Sequence, residues 1–147
     1  MSSNEKVVDA LSKLLADSYT LYLKTHNYHW NVTGPMFNTL HTLFETQYTE
    51  YALAVDEIAE RIRAIGARAP GSYSEFTELA SVKEDRGSPP ALEMIANLAA
   101  DQEATAASAR KVVEVAEAAG DSASGDLGVR RIEVHQKNAW MLRSHLE

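Results

Sequence analysis

Apolar residues recur at Val8, Leu11, Leu15, Tyr19 and Tyr22 with the period of a helix, and Ser2 stands three residues before Glu5, the spacing of a capping box. The pattern stops at Gly34-Pro35. A second periodic stretch begins near Met36 and runs through Ile62 and Ile65 to Gly66 with no internal Gly or Pro, so two long helices joined by a short turn are expected. From Ala67 to Gly87 lies a connection with Pro70-Gly71, a brief helical pattern around Phe76 and Leu79, and a polar, turn-prone end. Ser88 before Pro89 reads as an N-cap with proline in first helical position, and Leu92, Ile95, Leu98, Val112 and Val115 carry a third long helix to Gly120. After the polar stretch Asp121 to Gly125, a fourth pattern passes Leu127, Ile132, Val134, Trp140 and Leu142.

Two short turns and one connection of about 20 residues between the second and third long helices describe an all-α, ferritin-like four-helix bundle with one long crossover and a short extra helix within it. Residues 1–147 are expected to form a single domain. A second helix of about 30 residues spans roughly 45 Å, more than packing in one small bundle requires, and that excess invites a partner.

With 45% hydrophobic residues the chain can bury a core, and 21 acidic against 14 basic residues give a formal charge of -7. That balance repels phosphate backbones and favours cations. No cysteine is present, so any metal must be held by imidazole and carboxylate. The first residues lack a secretory pattern and no apolar run is long enough to span a membrane, which predicts a cytoplasmic location.

Two pairs on the second helix share the i, i+4 spacing, His41 with Glu45 and Asp56 with Glu60. At 100° per residue Glu45 and Asp56 point within ~20° of each other, yet stand ~16 Å apart along the axis. Metal bonds are about 2 Å long, so one helix cannot close both pairs around one site. Two copies crossing antiparallel near their middles would bring each His41-Glu45 half against an Asp56-Glu60 half, with the small Thr49 and Ala52 allowing close approach. His29, near the end of the first helix, is placed to complete the first half. Such a donor set suits iron, zinc or manganese and leaves positions open to an oxidant. The plainer alternative is that the carboxylates are solvated or paired with Arg61 and Arg63. His26 reads as a core or supporting histidine, His135 and His145 as structural or surface groups, and Trp30 and Trp140 as core or interface aromatics. No histidine has Glu three residues before it, so an intrachain ferritin centre is not expected.

These residues resemble the family of DNA-binding proteins from starved cells, the Dps or mini-ferritin family. The likeness is carried by His26-Asn27-Tyr28-His29-Trp30-Asn31-Val32, by His41 and Glu45, and by Asp56-Glu57-Ile58-Ala59-Glu60-Arg61-Ile62, and extends to Lys137, Ala139-Trp140-Met141-Leu142-Arg143 near the end. The resemblance implies a hollow dodecamer that oxidises Fe(II), preferably with hydrogen peroxide, at ferroxidase centres between subunits and stores Fe(III) inside, limiting oxidative stress. It assigns the ligands to His29, His41 and Glu45 of one subunit and to Asp56 and Glu60 of its mate. It also places Asp121 and Asp126 at a three-fold iron-entry pore, although either residue serves equally well as a helix cap.

Relatives that bind DNA often carry a Lys/Arg-rich tail, whereas here only Lys6 precedes the first helix and nothing follows Glu147, so weak or absent DNA binding is expected. Two other readings compete with iron storage. One is a DNA-protecting nucleoid protein that holds metal incidentally, and the other a structural helical oligomer with a zinc site and no redox chemistry.

Overall fold

The computed structural model describes residues 1–147. Four long helices and one short helix follow in order: α1 (Ser3–Asn31), α2 (Phe37–Ala64), α3 (Tyr73–Leu79), α4 (Ala91–Ala119) and α5 (Ser122–Arg143), with a closing 3-10 turn at Ser144–Leu146. The capping box forms as expected, Ser2 and Glu5 each satisfying the other's backbone N–H. α4 ends on Gly120 in the left-handed region at φ 70°, where a side chain would be strained.

The start of α4 corrects the sequence reading. Ser88 makes no cap and Pro89 is not helical; the helix begins at Ala91, after Pro90. The cause is the second proline, whose ring excludes its predecessor from helical backbone angles. At the other end of this pair, the polar stretch after Asp121 is already helix, because Asp121 caps α5 by accepting from the Ser124 N–H.

Paired contacts fix the topology. His29 meets His41 and Tyr22 meets Tyr48, so α1 and α2 run antiparallel. Lys24 pairs with Asp101 while Tyr28 bonds Asn97, so α1 and α4 are antiparallel too. α2 and α4 are therefore parallel, and the chain between them must return the length of the bundle. Asp17, fully buried on α1, holds this return in place: its carboxylate accepts from the Ser81 and Val82 backbone N–H at 2.6 and 2.9 Å and from the Ser108 hydroxyl. Lys24 donates to the Lys83 carbonyl and Asn27 to that of Asp85, about two and then three turns further along the same helix.

Two apolar clusters fill the bundle. Leu11, Leu14, Ile58, Ile62 and Val112 belong to one; Leu21, Phe44, Ile95, Leu98 and Leu142 belong to the other. Tyr51 on α2, Gln102 on α4 and His135 and Asn138 on α5 form a buried hydrogen-bonded layer across the helices. α4 and α5 approach closely at Gly128, where a Cβ would stand 2.8 Å from the Val113 side chain and 3.1 Å from the Ala109 carbonyl. No helix is long and apolar enough to cross a membrane.

Candidate metal centre

The short turn between α1 and α2 lays His29 against the first turns of α2. His29 Nδ1 lies 2.6 Å from the His41 carbonyl oxygen, and His41 Nδ1 lies 2.8 Å from the His29 carbonyl oxygen. A carbonyl only accepts, so both Nδ1 atoms carry hydrogen, and in the neutral rings it is Nε2 that keeps a lone pair. The rings stack at 3.8 Å and 13°. Glu45, one turn beyond His41, brings a carboxylate oxygen to 3.9 Å from His29 Nε2. One ligand-competent atom from each of His29, His41 and Glu45 falls within 4.8 Å of the others. His29 is buried while Glu45 faces solvent, so the cluster opens to the outside.

Asp56 and Glu60 are not part of this cluster. They lie further along the exposed face of α2, and about 16 Å of helix separates Asp56 from Glu45. Their carboxyl groups contact one another, and hydrogen bonding to Asp56 followed by its charge holds Glu60 above the usual carboxylate range. No cationic side chain relieves them. Arg61 turns instead to Asp121 and Ser124, and Arg63 to the Ala67 carbonyl, so the expected alternative pairing does not form. Between the two groups the exposed face carries Thr49, Ala52 and Leu53, the last 72% exposed.

Asp121 is occupied. Partial burial works to raise its pKa, but bonds from Ser124 and Arg61 outweigh it and hold the carboxyl below its ordinary value. Asp126 is exposed beside Arg130 at 3.6 Å.

Aromatic groups surround the cluster, and the sequence reading had passed over one of them. Tyr48 packs edge-on to His29 with ring centroids 5.2 Å apart and stacks on His26 at 4.2 Å. Its position one turn after Glu45 on the ligand face was the available signal. Burial and the neighbouring His29 lower the His26 pKa, and its other side meets Trp30, which is 59% exposed. His135 is wholly buried and His145 bonds the Met141 carbonyl, so neither approaches the cluster.

A ferritin-like domain profile matches residues 8–147. Over 143 residues the chain is 39% identical to DNA protection during starvation protein 2 of Bacillus anthracis, covering 97% of this chain and 98% of that relative. The chain belongs to the Dps family. The crystal structure of a Dps protein from Bacillus brevis superposes with a TM-score of 0.96 at 35% identity, covering 100% of this chain and 99% of that one. The Dps protein of Vibrio cholerae O1, described as a member of a broad superfamily of ferritin-like diiron-carboxylate proteins, gives 0.94 at 33% identity over 99% and 91% of the two chains.

Proposed function

We propose that the protein is an iron-storage and detoxification protein that oxidises Fe(II) at centres shared between two copies of the chain. Fe(II) is the substrate, and hydrogen peroxide is the preferred oxidant over oxygen. The observation that carries this reading is the hairpin cluster, with two Nε2 lone pairs and the Glu45 carboxylate converging while Asp56 and Glu60 stand exposed on the same helix without a cation. Nitrogen and oxygen donors with no thiolate fit Fe(II), and fit Zn(II) or Mn(II) as substitutes.

In this reading His29, His41 and Glu45 of one subunit and Asp56 and Glu60 of the other hold the substrate ions. The five groups supply at most three negative charges, which favours retention of the higher charge after oxidation. Each peroxide takes one electron from each of two Fe(II) ions, its O–O bond breaks, and with two protons it leaves as two waters. Fe(III) then passes into the interior of a hollow dodecamer in the cytoplasm. Asp126, exposed near the start of α5, is the pore residue we retain; Asp121 is committed to its cap and to Arg61.

The test is peroxide consumption on adding Fe(II) to the wild type and to His41→Ala and Asp56→Ala. Loss in both variants is expected, and unchanged rates in both would defeat the proposal. Particle mass in solution with and without iron checks the shell.

A further inference from the structure

Four of the six tyrosines lie on one continuous path that begins at the metal cluster. Tyr48 lies 5.2 Å from His29, Tyr22 lies 5.9 Å from Tyr48, Tyr19 lies 5.8 Å from Tyr22, and Tyr73 lies 6.3 Å from Tyr19, all between ring centroids. The path crosses from α2 to α1 and ends on α3, where Tyr73 is 69% exposed. The two remaining tyrosines differ in kind. Tyr28 and Tyr51 are fully buried, with hydroxyls bonded to Asp85 and Asn97 or to Gln102 and Asn138. The phenolic hydroxyls of the four on the path bond to no protein group, and Tyr19, Tyr22 and Tyr48 are only half-buried, so their phenolic protons exchange with water. Packing alone would be served as well by phenylalanine, which lacks the readily oxidised hydroxyl.

We propose that Tyr48, Tyr22, Tyr19 and Tyr73 form a ladder that conducts a one-electron oxidising equivalent from the metal centre to the protein surface. The inference rests on the iron-oxidising reading above. Peroxide needs two electrons to become water, and a site holding a single Fe(II) supplies only one. Fe(II) then becomes Fe(III) while the O–O bond breaks into hydroxide and a hydroxyl radical. That radical takes the hydrogen atom of the Tyr48 hydroxyl, leaving water and a phenoxyl radical. An electron from Tyr22 refills Tyr48, which takes up a proton from solvent as Tyr22 releases its own; the exchange repeats to Tyr19 and Tyr73. In sum, one Fe(II) and one phenol O–H are oxidised, and one peroxide becomes one hydroxide and one water. The radical on Tyr73 is then within reach of a soluble phenol, which restores it by giving up its own hydrogen atom.

The test adds peroxide to the assembled protein carrying fewer Fe(II) ions than sites, in the presence of a nitroso spin trap, and maps covalent adducts by peptide mass spectrometry. Adducts on Tyr73 and Tyr19 are expected in the wild type. Tyr22→Phe keeps the ring packing and breaks the ladder, so those adducts disappear while adducts on Tyr48 increase; Tyr48→Phe abolishes them at the first step. Tyr73→Phe moves the terminal adduct to Tyr19. Adducts confined to Trp30, or Tyr73 adducts undiminished in both Tyr22→Phe and Tyr48→Phe, would overturn the ladder while leaving iron oxidation intact. A wild type that fails to accelerate Fe(II) oxidation by peroxide would overturn the underlying reading as well.

Discussion

His29 and His41 orient one another, each donating its Nδ1 hydrogen to the other's main-chain carbonyl across a separation of twelve residues. Two ligand-competent rings therefore need no outside carboxylate to set their tautomers. Asparagine at position 41 has a donor at the Nδ1 position and nothing at Nε2. His41→Asn is expected to leave the thermal midpoint close to wild type while weakening Zn(II) or Fe(II) binding by at least about tenfold. Calorimetric titration measures the affinity, and His41→Ala should lower both quantities.

On the proposed reading the site is divided between chains, and such a site can be rebuilt from two broken ones. In a co-assembled equal mixture of His41→Ala and Asp56→Ala subunits, half of the two-fold pairs are mixed, and each mixed pair holds one intact and one doubly damaged site. About a quarter of wild-type Fe(II) oxidation should return although each variant alone is inactive. No recovery after co-refolding would place all ligands within one chain.

Lys6, Lys13 and Lys111 share a shallow groove with Asp9 and Glu114, so the basic residues there are interleaved with acids rather than forming a continuous basic surface. With a formal charge of -7 per chain, no mobility shift of duplex DNA is expected at physiological salt and neutral pH without Mg²⁺. A shift under those conditions would contradict this.

Removing Asp17 strands two backbone donors and the Ser108 hydroxyl in a buried setting. Asp17→Ala should cost about 3 kcal/mol, read as a lower urea midpoint at unchanged slope. The damage should centre on the crossover, with amide exchange rising first at Ser81 and Val82.

Arg131 can only donate, so His135 Nε2 accepts from it at 3.2 Å and Nδ1 donates to Gln102 at 2.8 Å. Burial, with the Arg131 charge adding to it, holds His135 well below the ordinary histidine pKa. The unfolded chain thus binds a proton that the folded chain refuses. Stability from this residue is complete above the unfolded pKa of about 6.5 and declines as pH falls below it, by up to about 1.4 kcal/mol per pH unit. Unfolding midpoints at about pH 7 and about pH 5.5 should diverge less in His135→Gln than in wild type.

The helices and their order were legible because apolar residues at Leu11, Leu15, Ile58 and Ile62 repeat at helical spacing and the turns are marked by Gly34-Pro35 and Gly120. The convergence of His29 on His41 was legible because a short turn joins their helices. Less visible were contacts made across the long connection. Arg61 reads locally as a partner for Asp56 or Glu60, yet it is drawn to Asp121, sixty residues away, where the α5 cap gathers acceptors. The layer of Tyr51, Gln102, His135 and Asn138 was also hidden, since each of its members reads as polar or amphipathic and only the packing of three helices shows them joined.

The α1–α2 hairpin supplies both imidazoles and Glu45 by itself, while Asp56 and Glu60 lie about 16 Å further along α2, out of reach of that cluster. On the proposed reading, a lone subunit is equipped to capture iron but not to burn it. Ignition awaits docking of a sibling, so reactive by-products arise only where a container already exists to receive them.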